Sequence, residues 1–167
     1  DIEKLLTHTI HQNFAKVYKF ANPSQRTFMD LYFKRYEIAI MKDCLRKVFD
    51  GSGEGLDLSI FKEFFDKHSR LNIDRLSGSA TVEEFVNGLK GTEYYRPLSK
   101  ISQEYKPLLF DYGMALDQYY FANIWSVKEK LFKKRDLEEI IKAYGNKFDM
   151  LNLQWIYRSK KYYHMAP

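Results

Sequence analysis

A long helical stretch that the chain uses twice constrains the fold more than any other feature. Residues 28–49, FMDLYFKRYEIAIMKDCLRKVF, carry Leu31, Ile38 and Leu45 seven apart, with Met41 and Val48 between them. That is the period of an amphipathic helix. Advancing from 36 to 148, an offset of 112, places Tyr36, Glu37, Ile38, Met41, Leu45 and Arg46 on Phe148, Asp149, Met150, Leu153, Tyr157 and Arg158. Phe28 and Tyr32 fall on Ile140 and Tyr144 in the same register. The shared spacing is an acid, an apolar residue beside it, apolar residues four and eight on, and Arg nine on. Nine residues turn a helix about half a revolution beyond whole turns, so acid and Arg point to opposite sides. Each must meet a different neighbour while the apolar residues face a core. A helix used twice suggests a duplicated helical unit; the alternative is coincidence, since helices share an apolar period. Ile38, Met41, Leu45, Leu153 and Ile156 are the expected core positions.

Around these stretches the chain reads as helices and breaks. Ile2, Leu5, Leu6, Thr9, Ile10, Phe14 and Val17 form one stripe, ended by Asn22-Pro23-Ser24. Asp50 to Gly55 closes the organising helix, and a shorter helix is expected over about 58–67. Asn72 to Ser79 reads as loop or short turn. Thr81-Val82-Glu83-Glu84 has capping-box spacing and starts a helix toward Lys90, stopped by Gly91. Thr92 can cap the next helix, which Pro97 shortens or kinks. After Pro107 a helix runs toward Leu131. Gly145 either ends a helix at Ala143 or sits inside a longer one at a cost of about 1 kcal/mol. Strand alternation is scarce, so the fold class is all-α, with long antiparallel helices in bundle units. Residues 1–106 form a first helical bundle unit and 107–167 an incomplete second one. The chain opens on Asp1 without Met and stops just after a strong helix, which reads as a piece of a longer protein.

Composition narrows the function classes. A hydrophobic content of 45% and a charged content of 29% give a globular balance rather than a disordered one. Thirteen Tyr and thirteen Phe favour large contact surfaces. A net charge of +5 is mild for a dedicated nucleic-acid binder. One cysteine, Cys44, excludes an intrachain disulfide and fits a reducing compartment. No run approaches the roughly 18 apolar residues of a membrane span, and no signal peptide is visible. A soluble chain is expected.

No constellation reads as an active site. His8 and His11 lie three apart without a Glu or Cys at ligand spacing, so exposed polar residues are favoured over a metal site. Gly51-Ser52-Gly53-Glu54-Gly55 follows a helix and lacks the Lys-Ser/Thr of a phosphate loop, so it reads as a turn. Cys44 sits on an apolar face and reads as core. No acid stands isolated in an apolar run, and Asp117 and Glu129 read as surface or inter-helix partners. No catalytic residue, metal or cofactor is therefore expected. Lys128, Lys130, Lys133, Lys134 and Arg135 cluster, and Arg158, Lys160 and Lys161 alternate with Tyr157, Tyr162 and Tyr163. Aromatic-basic mixtures suit phosphate and base stacking. Acids interrupt the first cluster, which favours a solvated face or protein contact over nucleic acid.

Four segments carry a family resemblance. Tyr36-Glu37-Ile38 with Lys42 and Leu45-Arg46, Gly91-Thr92-Glu93-Tyr94-Tyr95 with Leu98, and Leu116-Asp117-Gln118-Tyr119-Tyr120-Phe121 are three. Asp149-Met150-Leu151-Asn152-Leu153 with Ile156, Arg158 and Lys160 is the fourth. Together they resemble the C-type subunit of V-type (archaeal-type) ATPases, whose eukaryotic vacuolar equivalent is the d-type subunit. The resemblance covers about 28–163. It implies three bundle units arranged as a funnel, with no catalytic residues, seated between the central shaft and the membrane rotor ring. It also implies a cytoplasmic, peripheral protein that couples ATP turnover to proton or sodium transport, with the shaft and ring proteins as partners. Glu37, Arg46, Asp149, Asn152 and Arg158 are then the candidate contacts, between helices or between neighbouring proteins of the complex. Ile40 stands where the analogy with Asn152 would place Asn, and the Arg-rich first helix and the Pro-Gly region after the last helix are absent. The runner-up is a helical nucleic-acid-binding module using the aromatic-basic C-terminal helix.

Overall fold

A computed structural model describes residues 2–51, 56–104 and 106–162. Ser52 to Gly55 of the glycine-rich turn, and Tyr163, lie outside the described residues. The chain is all-α. Eight helices are present among the described residues: α1 Ile2–Phe20, α2 Pro23–Asp50, α3 Ser59–His68, α4 Ile73–Ser77, α5 Val82–Gly88, α6 Tyr95–Ile101, α7 Leu109–Leu131 and α8 Lys134–Tyr162. Contacts group residues 1–120 and 121–167 into two compact units, each considered by itself.

Local chemistry sets the helix ends. Asn22 caps α2 by accepting from the Gln25 amide at 2.9 Å, while the Gln25 side chain accepts from the Asn22 amide at 2.9 Å, a reciprocal capping box. Pro23 then sits where its missing N–H costs nothing. Gly51, at φ +65°, ends α2 in the left-handed region open to glycine. Thr81 accepts from the Glu84 amide at 3.1 Å, and Glu84 reaches back to the Ala80 amide at 2.9 Å. Asn72 to Ser79 is more ordered than a loop. Asn72 accepts from the Arg75 amide at 2.9 Å and starts the single turn of α4, which buries Ile73 and Leu76. Gly145 lies inside a continuous α8.

In the first unit α1 and α2 are antiparallel, since Tyr18 meets Asp30, Phe14 meets Phe33 and His11 meets Tyr36. Helix α2 is the central rod. It buries Phe33, Glu37, Ile38, Ile40, Met41, Cys44 and Leu45. The core that covers it includes Phe65 from α3, Leu76 from α4, Phe85 from α5 and Leu98 from α6. Each such apolar side chain contributes about 1.5–3 kcal/mol when fully buried. Cys44 is wholly buried and its thiol is pushed up to about 11 by desolvation. In the second unit Phe148 of α8 packs edge-on against Phe121 and Trp125 of α7, at 4.7 and 5.3 Å between ring centres.

Two sequence expectations need correction. Ile38, Met41 and Leu45 are buried, but Leu153 and Ile156 are 63% and 54% exposed. No described element of the second unit covers their side of α8. His11 is not an exposed polar residue either. It is buried, stacked on Phe64 at 4.3 Å and 3°, and edged by Tyr36 and Phe61, with neither ring nitrogen hydrogen-bonded. His8 stays exposed and pairs with Gln12 at 2.8 Å.

Desolvation first, and then the neighbouring His8, hold the His11 imidazole below its ordinary value. A depressed imidazole favours the neutral form in the fold. Its contribution is complete above about 6.5 and is lost as pH falls through the lower folded value. Thermal unfolding followed by helicity between pH 7.5 and 5 should show this decline, and H11F should flatten it. The glycines give opposite signs. A methyl at Gly145 meets nothing within 4 Å, so G145A should raise stability by about 0.5–1 kcal/mol in chemical denaturation. G51A should lower it by about 1 kcal/mol, because φ there is +65°.

Candidate functional site

Position 37 of α2 falls in the middle of the buried face, so the chain puts a carboxylate where apolar residues surround it. Glu37 is 5% exposed. A charge there costs several kcal/mol unless hydrogen-bonded. Two hydroxyls supply the bonds: Ser69 donates to Glu37 Oε1 at 2.5 Å, and Tyr94 donates to Oε2. Ser69 stands just past α3 and its oxygen also accepts from the Leu71 amide at 3.0 Å, which fixes its direction. Tyr94 is placed by the turn before α6. Gly91 takes φ +88°, the Thr92 hydroxyl donates to the Leu89 carbonyl at 2.8 Å, and Thr92 Oγ1 accepts from the Tyr94 amide at 3.3 Å. The Gly-Thr-x-Tyr segment is thus a device for aiming one phenol inward.

Burial pushes the Glu37 carboxyl above its usual range, against the pull of the Ser69 and Tyr94 hydrogen bonds and of Lys34. Burial, and then the facing Glu37 carboxylate, push the Tyr94 phenol up, so it stays a donor. One turn before Glu37, Lys34 forms an ion pair with Glu93. Burial alone would raise the Glu93 carboxyl, but Lys34 holds it below the ordinary value. Just over one turn beyond Glu37, Lys42 donates to Asp117 of α7 at 2.6 Å, both side chains partly buried. Tyr119 packs edge-on against Tyr94 at 5.4 Å. A cleft of about 420 Å³ opens beside the Glu37 carboxylate, with Lys34, Arg70 and Glu93 among its charged walls.

Three of the four family-like segments therefore meet in the first unit, around Glu37, Tyr94 and Asp117. The fourth lies on α8. The candidate contact residues do not form one site. Glu37 is buried, whereas Arg46 is exposed and pairs only within its own helix, with Asp43 at 2.7 Å. Asp149, Asn152 and Arg158 are exposed along α8. Among the described residues no group of three or more His, Cys, Asp or Glu is placed to hold a metal. No helix of the described residues is long and apolar enough to cross a membrane. In the basic C-terminal stretch, Lys161 lies over the Tyr157 and Tyr162 rings at 5.0 and 5.4 Å.

Sequence reasoning misses the burial of Glu37 and its donors Ser69 and Tyr94. The signal is present: Phe33, Glu37, Ile40 and Cys44 recur at intervals of four, three and four, so the acid sits inside the apolar stripe. Read along the chain, its charged neighbours hide it.

E37A leaves the Tyr94 and Ser69 hydroxyls without an acceptor and should cost about 2–4 kcal/mol in urea unfolding. E37Q keeps an accepting oxygen and should cost less, while Y94F should cost about 1–3 kcal/mol. Glu37 holds its proton more tightly folded than unfolded. Its contribution is complete below about 4.5 and declines as pH climbs through the raised folded value. E37Q should remove that part of the decline.

Comparison with known proteins gives the family of the chain. The family described as ATP synthase (C/AC39) subunit matches residues 1–167. The C-type subunit of the A-type ATP synthase of Methanocaldococcus jannaschii is 24% identical over 165 residues, covering 95% of this chain and 40% of the relative. Its counterpart in the A-type ATP synthase of Methanosarcina mazei is 26% identical over 168 residues, covering 98% and 45%. The chain thus spans under half the length of these curated relatives. No solved structure matches.

Proposed function

The chain belongs to the ATP synthase (C/AC39) subunit family, and from that premise we propose that it works as a non-catalytic coupling element of a rotary ATPase. In this reading it passes torque between the central shaft and the membrane rotor ring, during ATP-driven proton or sodium transport or during ATP synthesis. Its partners are the shaft and ring proteins of the same complex, and it stands peripheral to the membrane on the cytoplasmic side. The family match over the whole chain carries the proposal.

The mechanics of the first unit support it. A torque adaptor needs helices that neither slide nor roll under load, and densely packed cores resist deformation. Here α2 is tied by polar bonds at three levels: Lys34 to Glu93, Glu37 to Ser69 and Tyr94, and Lys42 to Asp117. These bonds are directional and partly desolvated, so displacement of α2 by a fraction of a turn breaks several together.

Arg46 and Arg158 separate a scaffold role from a contact role. Both are exposed, and the bond from Arg46 to Asp43 is an i,i+3 surface pair worth about 0.5 kcal/mol or less. R46A and R158A in the assembled complex should leave thermal unfolding almost unchanged while weakening retention of the shaft proteins in pull-down by several-fold. Retention equal to the unsubstituted protein removes both residues from the interface. Reconstitution of the complex with and without this protein tests the function directly. Ion pumping should fall well below its coupled level without it, while ATP hydrolysis by the catalytic head persists. Undiminished pumping overturns the proposal.

A further inference from the structure

Helix α1 is attached to its unit along a seam with a histidine at its centre. Among the described side chains of Ile2–Phe20 only His11 is buried, with Phe14 and Tyr18 half-buried on the same face. Ile2, Leu5, Leu6, Ile10, Val17 and Phe20 are exposed, so they add little to the attachment. The His11 ring lies flat on Phe64 of α3 and meets Phe61 of α3 and Tyr36 of α2 edge-on. Neither of its nitrogens has a hydrogen bond. It packs as an apolar disc, and it can do so only while neutral, because a buried cation without an acceptor carries a large desolvation cost.

The groups around it offer no remedy. On α1 the nearest ionisable neighbour is His8, one turn away. On α2 it is Tyr36, with the Arg35 guanidinium 5.5 Å over its ring. Lys67 and His68 of α3 share with His8 and His11 the wall of a groove of about 740 Å³ between α1 and α3, and no Asp or Glu is among its described lining residues. Asp30 of α2 reaches the seam at His68 and accepts from Tyr18 at 3.3 Å. His68 meets the other two anchors edge-on, Phe14 at 5.9 Å and Tyr18 at 5.3 Å. Burial holds its imidazole below the ordinary value, against the pull of Asp30. Acid therefore places like charge on both sides of one seam, His8 and His11 on α1 and His68 on α3. The groove lets water carry protons there without unfolding the unit.

We propose that α1 is an acid-released latch: when His11 is protonated the helix swings away from α3 and bares the aromatic surface of Phe33, Tyr36, Phe61 and Phe64. The hinge is at its carboxyl end, where Ala21 and Asn22 join it to α2 and Arg26 donates to the Lys19 carbonyl at 3.2 Å. Helices α4 and α5 also pack on α2, and the rest of the unit holds when the latch opens. The sense is fixed by the buried neutral ring. Docking is complete above about 6.5 and is lost as pH falls through the lower docked value. The latch lies wholly in the first unit and works with or without rotary coupling.

Hydrogen–deuterium exchange of the 167-residue chain, corrected for the intrinsic pH dependence of amide exchange, tests it. Between pH 7.5 and 5, peptides from 2–20 should lose protection by about ten-fold or more, while those from 37–45 and 82–98 keep theirs. Wholly buried Cys44 should stay silent to a dithiodipyridine reagent, which reacts in acid. An apolar dye should bind at pH 5 and not at pH 7.5. H11F keeps a ring and removes the charge, so α1 should stay protected and the dye unbound at both. Unchanged protection of α1 in the parent chain overturns the proposal. So does loss of protection throughout with Cys44 reacting, which is global unfolding, and so does the same release in H11F, which places the titration elsewhere. If H11F does not fold, NMR titration of the His11 ring in the parent chain decides. Its midpoint should coincide with that of α1 release, and a separation of about one pH unit or more sinks the latch.

Discussion

A carboxylate held inside a helical core organises the first unit. Glu37 needs two donors within hydrogen-bond reach, and both must come from outside its own helix, whose amides are already spent on the helical ladder. Ser69 and Tyr94 meet that need only because the chain after α3 turns back at Ser69 and the chain before α6 turns at Gly91. The route of α3 to α6 around α2 is therefore coupled to one side chain. Apolar packing supplies most of the stabilisation, but it is non-directional and tolerates small slips. The Glu37 bonds remove that tolerance, and the Lys34–Glu93 and Lys42–Asp117 pairs repeat the constraint about a turn to either side.

Along the chain, Tyr36-Glu37-Ile38, Gly91-Thr92-Glu93-Tyr94 and Leu116-Asp117 are separate, weak signatures. In space they are a single arrangement. The acid comes from the first segment, the phenol and the turn that aims it from the second, and the anchor for Lys42 from the third. Their residue types follow from these roles. A Tyr at 94 reaches the carboxylate while its ring fills core volume, and an acid at 117 neutralises a lysine that leaves α2 half-buried. Such a set ties one helix to its neighbours. It has the character of a joint.

Much of this is legible in the sequence, and the failures have definite physical causes. Asn22-Pro23 and Thr81 announce helix starts because capping is local chemistry, and the all-α class follows from period alone. The segment Asn72 to Ser79 reads only as loop or short turn, because one helical turn carries too few residues to show a period. Leu153 and Ile156 look like core because period reveals which face is apolar and says nothing about what lies against it. Glu37 is overlooked for the complementary reason. A charge among apolar residues on a helix surface is separated from them along the chain, and only a projection down the axis shows its setting. His11 reads as a polar surface residue, since three aromatic rings from two other helices bury it and none is near it in sequence.

The positions of the ties around α2 carry a mechanical meaning. At about 100° per residue, Glu37, Lys34 and Lys42 span about 140° of the circumference of the rod, and they connect it to a loop, a turn and a neighbouring helix. A shaft keyed at several angles cannot spin in its housing. In the coupling role proposed above, twist applied near Asn22 would emerge near Asp50 with little lost motion, because rolling the rod in either direction stretches several bonds at once. Backlash, more than strength, limits how faithfully a stepping machine hands each increment to its load. By that measure, the polar keys on α2 matter more than the number of apolar groups it buries.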